Sequence, residues 1–179
     1  MITSKPVTRH SSALPATWVA LRVLIVLNWI LGALIFALLA ISFLAEESTW
    51  RALGVGVIAG HEGVVAGMRA IMVIGVVGTP IGYVVFNRLL RIVESVRGGE
   101  PFTMDNAGRL RTIAWGLLGL ELLHVSVVAI ASAVSTKEVP LRINGNFRPI
   151  DWLAILLLFV LAQVFIEGTR MRNDLEGVV

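Results

Sequence analysis

The sequence predicts an all-α integral membrane protein, a four-transmembrane-helix bundle with both termini in the cytoplasm and a small extracytoplasmic cap. Hydrophobic residues make up 56% of the 179 residues and charged residues only 15%, whereas soluble domains are about 45–50% apolar and ~25% charged. The apolar residues also fall into four stretches of about the 20 residues that a membrane-spanning helix needs. Finally, lysine and arginine are concentrated on one side of these stretches, which is typical of the cytoplasmic side.

Several functions are excluded or disfavoured by composition and motifs. The chain has no cysteine, which excludes disulfides, thiol catalysis and cysteine-based metal sites. His61-Glu62 begins like a zinc-protease helix, but position 65 is Val65 where that motif needs a second histidine. The net charge of +3 reflects membrane flanks, since no basic and aromatic residues interleave as in nucleic-acid-binding segments. We therefore expect no enzymatic activity, no cofactor, no metal and no direct contact with nucleic acid.

The chain is predicted to consist of a polar cytoplasmic N-terminal segment, residues 1–17, followed by a single membrane domain, residues 18–179. The first span covers about 18–45, and its apolar core is much longer than the 7–15 residues of a signal peptide, so it predicts an uncleaved helix. Residues 46–67 form a glycine-rich outer loop.

The second span covers about 68–90 and is predicted to continue past the membrane as far as the Gly98-Gly99 break. Pro80 lies inside it and is expected to kink the helix. Small residues on one face favour close approach of a neighbouring helix. These residues are Gly75, Gly78 and Gly82.

The third helix is predicted to begin after Thr103, which is a good N-cap residue, with Asp105 placed in the first turn against the helix dipole. Its membrane-spanning part covers about 110–133. This helix therefore follows the preceding break after only a short turn.

The second outer loop, 135–150, predicts a short β-hairpin, because Leu141 and Ile143 alternate with polar residues and Asn144-Gly145 favours a type I′ turn. The fourth span, about 150–167, is the shortest and is expected to continue as a helix to near residue 174.

The charged segment 88–111, which we call the hub, has the features of a partner-binding surface rather than those of a membrane span. It combines basic flanks, a glycine break and a helix start, and it lies between two strongly apolar regions. With the C-terminal tail it forms the predicted site for a cytoplasmic partner. The hub residues of this site are Arg91, Arg97, Glu100, Pro101, Phe102, Asn106, Arg109 and Arg111, and the tail residues are Glu167, Arg170, Asp174 and Glu176.

The orientation follows from the lysine and arginine residues. Ten of them lie on the side of the termini and the hub: Lys5, Arg9, Arg22, Arg88, Arg91, Arg97, Arg109, Arg111, Arg170 and Arg172. Five lie on the other side: Arg51, Arg69, Lys137, Arg142 and Arg148. This bias predicts that the termini and the hub face the cytoplasm.

Glu121 and His124 form an ionisable pair near the middle of the third span, where charged side chains are costly and normally face the bundle interior. The pair is compatible with a proton relay, a metal site or a haem ligand. A di-iron centre needs Glu-x-x-His twice, and the sequence contains it once. The alternative is a structural hydrogen-bonded pair, with Asn28 or Gln163 as partners from other helices.

The hub and the tail together resemble a bacterial family known as domain of unknown function 2975. The resemblance is carried by Leu90–Asn106 with its Gly-Glu-Pro-Phe turn, by Arg109–Ile113, and by the Asp174-Leu-Glu-Gly177 end. Gly108 departs from the pattern, which has a longer or charged residue there. The resemblance implies a four-span protein of the bacterial cytoplasmic membrane, often encoded beside a small helix-turn-helix regulator, with no established activity.

The leading hypothesis is therefore a non-enzymatic membrane sensor or anchor that binds a cytoplasmic partner through the hub and tail, the resemblance implying a small helix-turn-helix regulator. One alternative is a small transporter or ligand-binding bundle that uses Glu121 and His124. Another is a structural subunit of a larger membrane complex. The glycine-lined second helix suits either internal packing or a homo-oligomer in the lipid bilayer.

Overall fold

The computed structural model describes residues 13–44, 62–136, 141 and 148–176, and it describes side chains within 14–44, 63–136, 141 and 148–171. These residues form four helices and no strand. The helices are α1 (Ala13–Leu44), α2 (Glu62–Arg97), α3 (Met104–Val134) and α4 (Pro149–Glu176). The predicted β-hairpin falls on residues that lie outside this description, apart from Leu141.

All four helices are long and apolar enough to cross a membrane, which confirms the predicted number of spans. Large hydrophobic side chains are exposed along them, for example Leu34, Phe36 and Leu157. In water so much exposed apolar surface would be unstable, whereas lipid is an apolar solvent for it. The chain is thus a multi-pass membrane protein.

Two helices begin earlier than the sequence predicts. α1 begins at Ala13 instead of residue 18, and α2 begins at Glu62 instead of residue 68. The expectation of an outer loop was wrong for residues 62–67, because Val64 is buried and Gly67 packs against Val134 of α3. This burial stabilises an extra turn and a half of helix that the weakly polar sequence does not favour by itself.

Each helix packs against its neighbour in the chain, and the other pairs of helices hardly touch. α1 contacts α2 where the Asn28 side chain donates a hydrogen bond to the Thr79 carbonyl. The two helices are close here, since a Cβ added at Gly82 would lie 2.7 Å from Oδ1 of Asn28. Farther along the chain, α3 meets α4 through the rings of Trp115 and Phe159, whose centroids are 5.2 Å apart. These contacts fix the register of α1 against α2 and of α3 against α4.

The helices form an open arc, since α1 and α4 make no substantial contact. Two clefts on the inside of the arc adjoin, because Leu120 and His124 line both of them. One cleft lies between α3 and α4, and the other is lined by α1, α2 and α3, including Ile35 and Met72. We call the two together the groove.

The start of α4 does not lie beside the C-terminal end of α3 but beside an earlier part of that helix. Asp151, in its first turn, lines the same cleft as His124, whereas α3 continues from there to Val134. At ~1.5 Å per residue, α3 projects beyond this level by roughly 15 Å. The first turn of α4 therefore lies beside Glu121 and His124 of α3 and not beside the C-terminal end of that helix.

Candidate functional site

The hub is a compact turn that joins α2 to α3. Gly99 has a φ of +84°, a conformation that costs other residues ~1–2 kcal/mol. The amides of Gly98 and Glu100 donate to the carbonyls of Glu94 and Ser95 at 3.0 and 3.1 Å, which closes the last turn of α2. Thr103 then caps α3 by accepting a hydrogen bond from the Asn106 amide at 3.2 Å, confirming the predicted N-cap.

Asn106 is the centre of the hub and is completely buried. Its Nδ2 donates to Ser95 Oγ at 2.7 Å and to the Pro101 carbonyl at 2.8 Å. Ser95 Oγ in turn donates to the Glu100 carbonyl. One amide thus ties the end of α2, the turn and the start of α3 together, and polar groups so fully satisfied specify a single arrangement.

Arg109 completes the same network from the next turn of α3. Its Nη1 donates to Asn106 Oδ1 at 2.8 Å and to the Arg91 carbonyl at 3.3 Å, and its Nη2 lies 3.8 Å from Asp105. The guanidinium therefore connects the hub to the backbone of α2. This role is structural, because most of the side chain is covered.

The hub also connects to the two outer helices of the arc. Trp18 of α1 donates its indole N–H to Glu94 at 3.1 Å, and the Arg22 guanidinium lies 4.5 Å from the centre of the same ring. Phe102 contacts Phe165 of α4, with ring centroids 5.2 Å apart. Both outer helices therefore contact the hub, although the arc is open between α1 and α4.

Exposed charge surrounds this junction. Arg91, Arg97, Arg111 and Arg170 are exposed, as is Glu100. Among the described residues, carboxylates lie within 4.0 Å of Arg109, His124 and Arg148, and of none of these four arginines. Their guanidinium groups are thus available to an anionic partner.

The predicted hub and tail residues accordingly divide into two groups. Asn106 is buried, which corrects the expectation that it lies on the partner-binding surface, whereas Pro101 and Arg109 are partly buried and take part in its network. Glu167 is exposed and makes no ion pair with the hub among the described residues. The ring contact of Phe165 joins the tail helix to the hub instead, while the side chains of Asp174 and Glu176 lie outside the described set.

Glu121 and His124 lie on one face of α3, as their spacing predicts, and line the groove. The Glu121 side chain is 16% exposed, and its Oε2 lies 4.0 Å from Nδ1 of His124, whose side chain is 47% exposed. The two suggested partners are elsewhere: Asn28 donates to the Thr79 carbonyl at 3.0 Å, and Gln163 is exposed on α4. The carboxylate has no hydrogen bond from any residue within the described ranges.

Sequence reasoning missed Asp151, which lines the cleft with Glu121 and His124. It pairs with Arg148 at 3.5 Å. A carboxylate in the first turn of a helix normally interacts favourably with the helix dipole, and only the stagger of α4 against α3 brings Asp151 beside Glu121. Within the described residues no three metal-ligating side chains come together.

Fold and site together define a small multi-pass membrane protein with a hydrogen-bonded hub at one end. A group of polar side chains, Glu121, His124 and Asp151, lies inside its open arc of helices. A family described as "Protein of unknown function (DUF2975)" matches residues 49–179. The chain belongs to this family, and α1 lies outside the matched segment. No curated protein matches the chain, and no solved structure matches it either.

Proposed function

We propose that the protein is a non-enzymatic sensor or anchor in the cytoplasmic membrane of a bacterium, which binds a cytoplasmic protein at its hub end. The observation that carries the proposal is the set of exposed arginines around a rigid junction. Arg91 and Arg97 near the end of α2 and Arg111 near the start of α3 flank a turn that Asn106 ties together, and no described carboxylate pairs with them. A preorganised basic surface favours an acidic partner, because little side-chain or loop ordering remains to be done on binding.

The partner that we propose is a small helix-turn-helix regulator with an acidic surface opposite its DNA-binding side. Binding to the basic hub would keep such a regulator at the membrane, while its own basic face would remain available for DNA. The connection of all four helices to the hub supports a signalling role: any change in the spacing of α1 and α4 acts on Glu94 and Phe102 at the same junction.

The test is co-purification of the full-length protein with the candidate regulator, expressed together and extracted in mild detergent. Charge reversal at Arg97 and Arg111 should reduce recovery of the regulator about tenfold or more, which corresponds to ~1.4 kcal/mol. Recovery by the wild type should also fall as salt is raised, since exposed charges are screened.

Arg148→Glu is the control, because Arg148 is also exposed but lies beside Asp151 at the start of α4, away from the hub. Equal recovery from the hub variants and the control would contradict the proposal.

A further inference from the structure

We propose that the groove is a binding site for a lipophilic cation, a ligand with a delocalised or protonated positive group on an apolar body, which enters sideways from the lipid and places its charge on Glu121. This site is independent of the partner surface at the hub. It rests on three features of the groove, namely its lining, its opening and its charge.

The lining is apolar over most of the groove. In the cleft shared by the first three helices, Ile35, Met72 and Leu123 contribute to a volume of ≈ 360 Å³, which is within the usual range for small-molecule pockets. Gly78 leaves room on this wall, because a Cβ added there would meet Leu120 and Leu123 only at 3.7 and 3.8 Å. An apolar ring system of moderate size fits such a space.

The opening faces the membrane. α1 and α4 do not close the arc, and hydrophobic side chains on both helices are exposed, as is typical of surfaces that face lipid. A ligand that partitions into the bilayer therefore reaches the groove without crossing a polar barrier. A hydrophilic ion would have to leave water before it could do so.

The negative charge of the groove favours a positively charged ligand. Glu121 and Asp151 both line the adjoining cleft, and Arg148 pairs with Asp151 at 3.5 Å. His124 lies too far from Glu121 for a hydrogen bond, so the Glu121 carboxylate faces the cleft with unused acceptor capacity. In a low-dielectric setting this carboxylate attracts a cation strongly and repels an anion.

The experiment uses the full chain in nanodiscs of zwitterionic phosphatidylcholine, with tetraphenylphosphonium as the probe and equilibrium dialysis as the readout. We expect saturable uptake above that of empty nanodiscs. Tetraphenylborate, which has nearly the same shape and the opposite charge, should show no uptake above the empty discs. Equal binding of both ions, or no uptake of tetraphenylphosphonium above the empty discs, would overturn the proposal.

Two variants test the two halves of the site. Glu121→Gln should weaken binding about tenfold or more, and Gly78→Leu should weaken it as much by filling the apolar wall while the carboxylate stays. Asp105→Asn removes an exposed carboxylate outside the groove and should bind as the wild type does. Unchanged binding in Glu121→Gln or in Gly78→Leu, with the variant eluting as a folded protein, would contradict the assignment.

Discussion

At the scale of single residues, Asn106 shows how one side chain organises a junction between helices. Its amide accounts for two hydrogen bonds as donor and one as acceptor, and no part of the residue is exposed. In the sequence it stands among charged residues, which suggested a surface position. Periodicity could not reveal its burial, because burial depends on how α2 and α3 meet at the turn.

We expect Asn106→Leu to destabilise the protein by about 2–3 kcal/mol, because Ser95, Pro101 and Arg109 would lose a partner while remaining largely covered. Thermal unfolding of the detergent-solubilised protein, followed by loss of the folded chromatographic peak, measures the change.

The neighbouring substitution Asp105→Ala is the control for that measurement. The Asp105 side chain is 83% exposed, and its carboxylate lies 3.8 Å from Arg109, so its removal should lower the free energy of unfolding by less than about 1 kcal/mol. Equal destabilisation by both substitutions would show that the Asn106 network does not hold the junction.

At the scale of elements, the sequence predicts the helices well and their packing poorly. Four long apolar stretches, the Gly98-Gly99 break and the Thr103 cap are local signals, and all appear in the structure. The stagger of α4, which brings Asp151 beside Glu121, is not local. It depends on which faces of α3 and α4 meet, and both helices are too uniformly apolar for periodicity to distinguish those faces.

The turn between α2 and α3 gives a prediction at this scale. Gly99→Ala should destabilise the protein by about 1–2 kcal/mol, because Gly99 has a positive φ that alanine disfavours. Gly108→Ala provides the comparison, since an added Cβ meets nothing within 4 Å there and alanine favours the interior of α3. Its midpoint of thermal unfolding should stay the same or rise. A lower midpoint for Gly108→Ala than for Gly99→Ala would contradict this account.

The crossing of α1 and α2 gives a second prediction. A Cβ added at Gly32 would lie 3.0 Å from Cβ of Thr79, and closer still to the ends of that side chain. Gly32→Leu should therefore push α1 and α2 apart and break the hydrogen bond from Asn28 to Thr79. We expect it to lower the free energy of unfolding by about 1–3 kcal/mol. Thermal unfolding checks this, with Gly168→Leu as the matched substitution at a glycine that faces open space. A similar loss in both variants would contradict close packing at the crossing.

At the scale of the whole molecule, the helices form an open arc that is joined at the hub end. The absence of native cysteine makes this arrangement straightforward to test by cross-linking. Cysteines at Trp115 and Phe159, whose rings are in contact, should react efficiently with a short bis-maleimide within one chain. Cysteines at Val26 and Phe159, at a similar depth on α1 and α4, should not. Efficient cross-linking of the second pair would mean that the bundle is closed.

The central claim is that the protein binds its partner at the hub end, and site-specific photo-cross-linking in the native host tests it most directly. A photoreactive amino acid replaces Arg97 in one strain and Ser135, at the opposite end of α3, in another. Mass spectrometry then identifies whatever protein is attached. We predict a helix-turn-helix regulator attached at position 97 and none at position 135. Attachment of that regulator at position 135 alone, or at neither position while it is expressed, would contradict the claim.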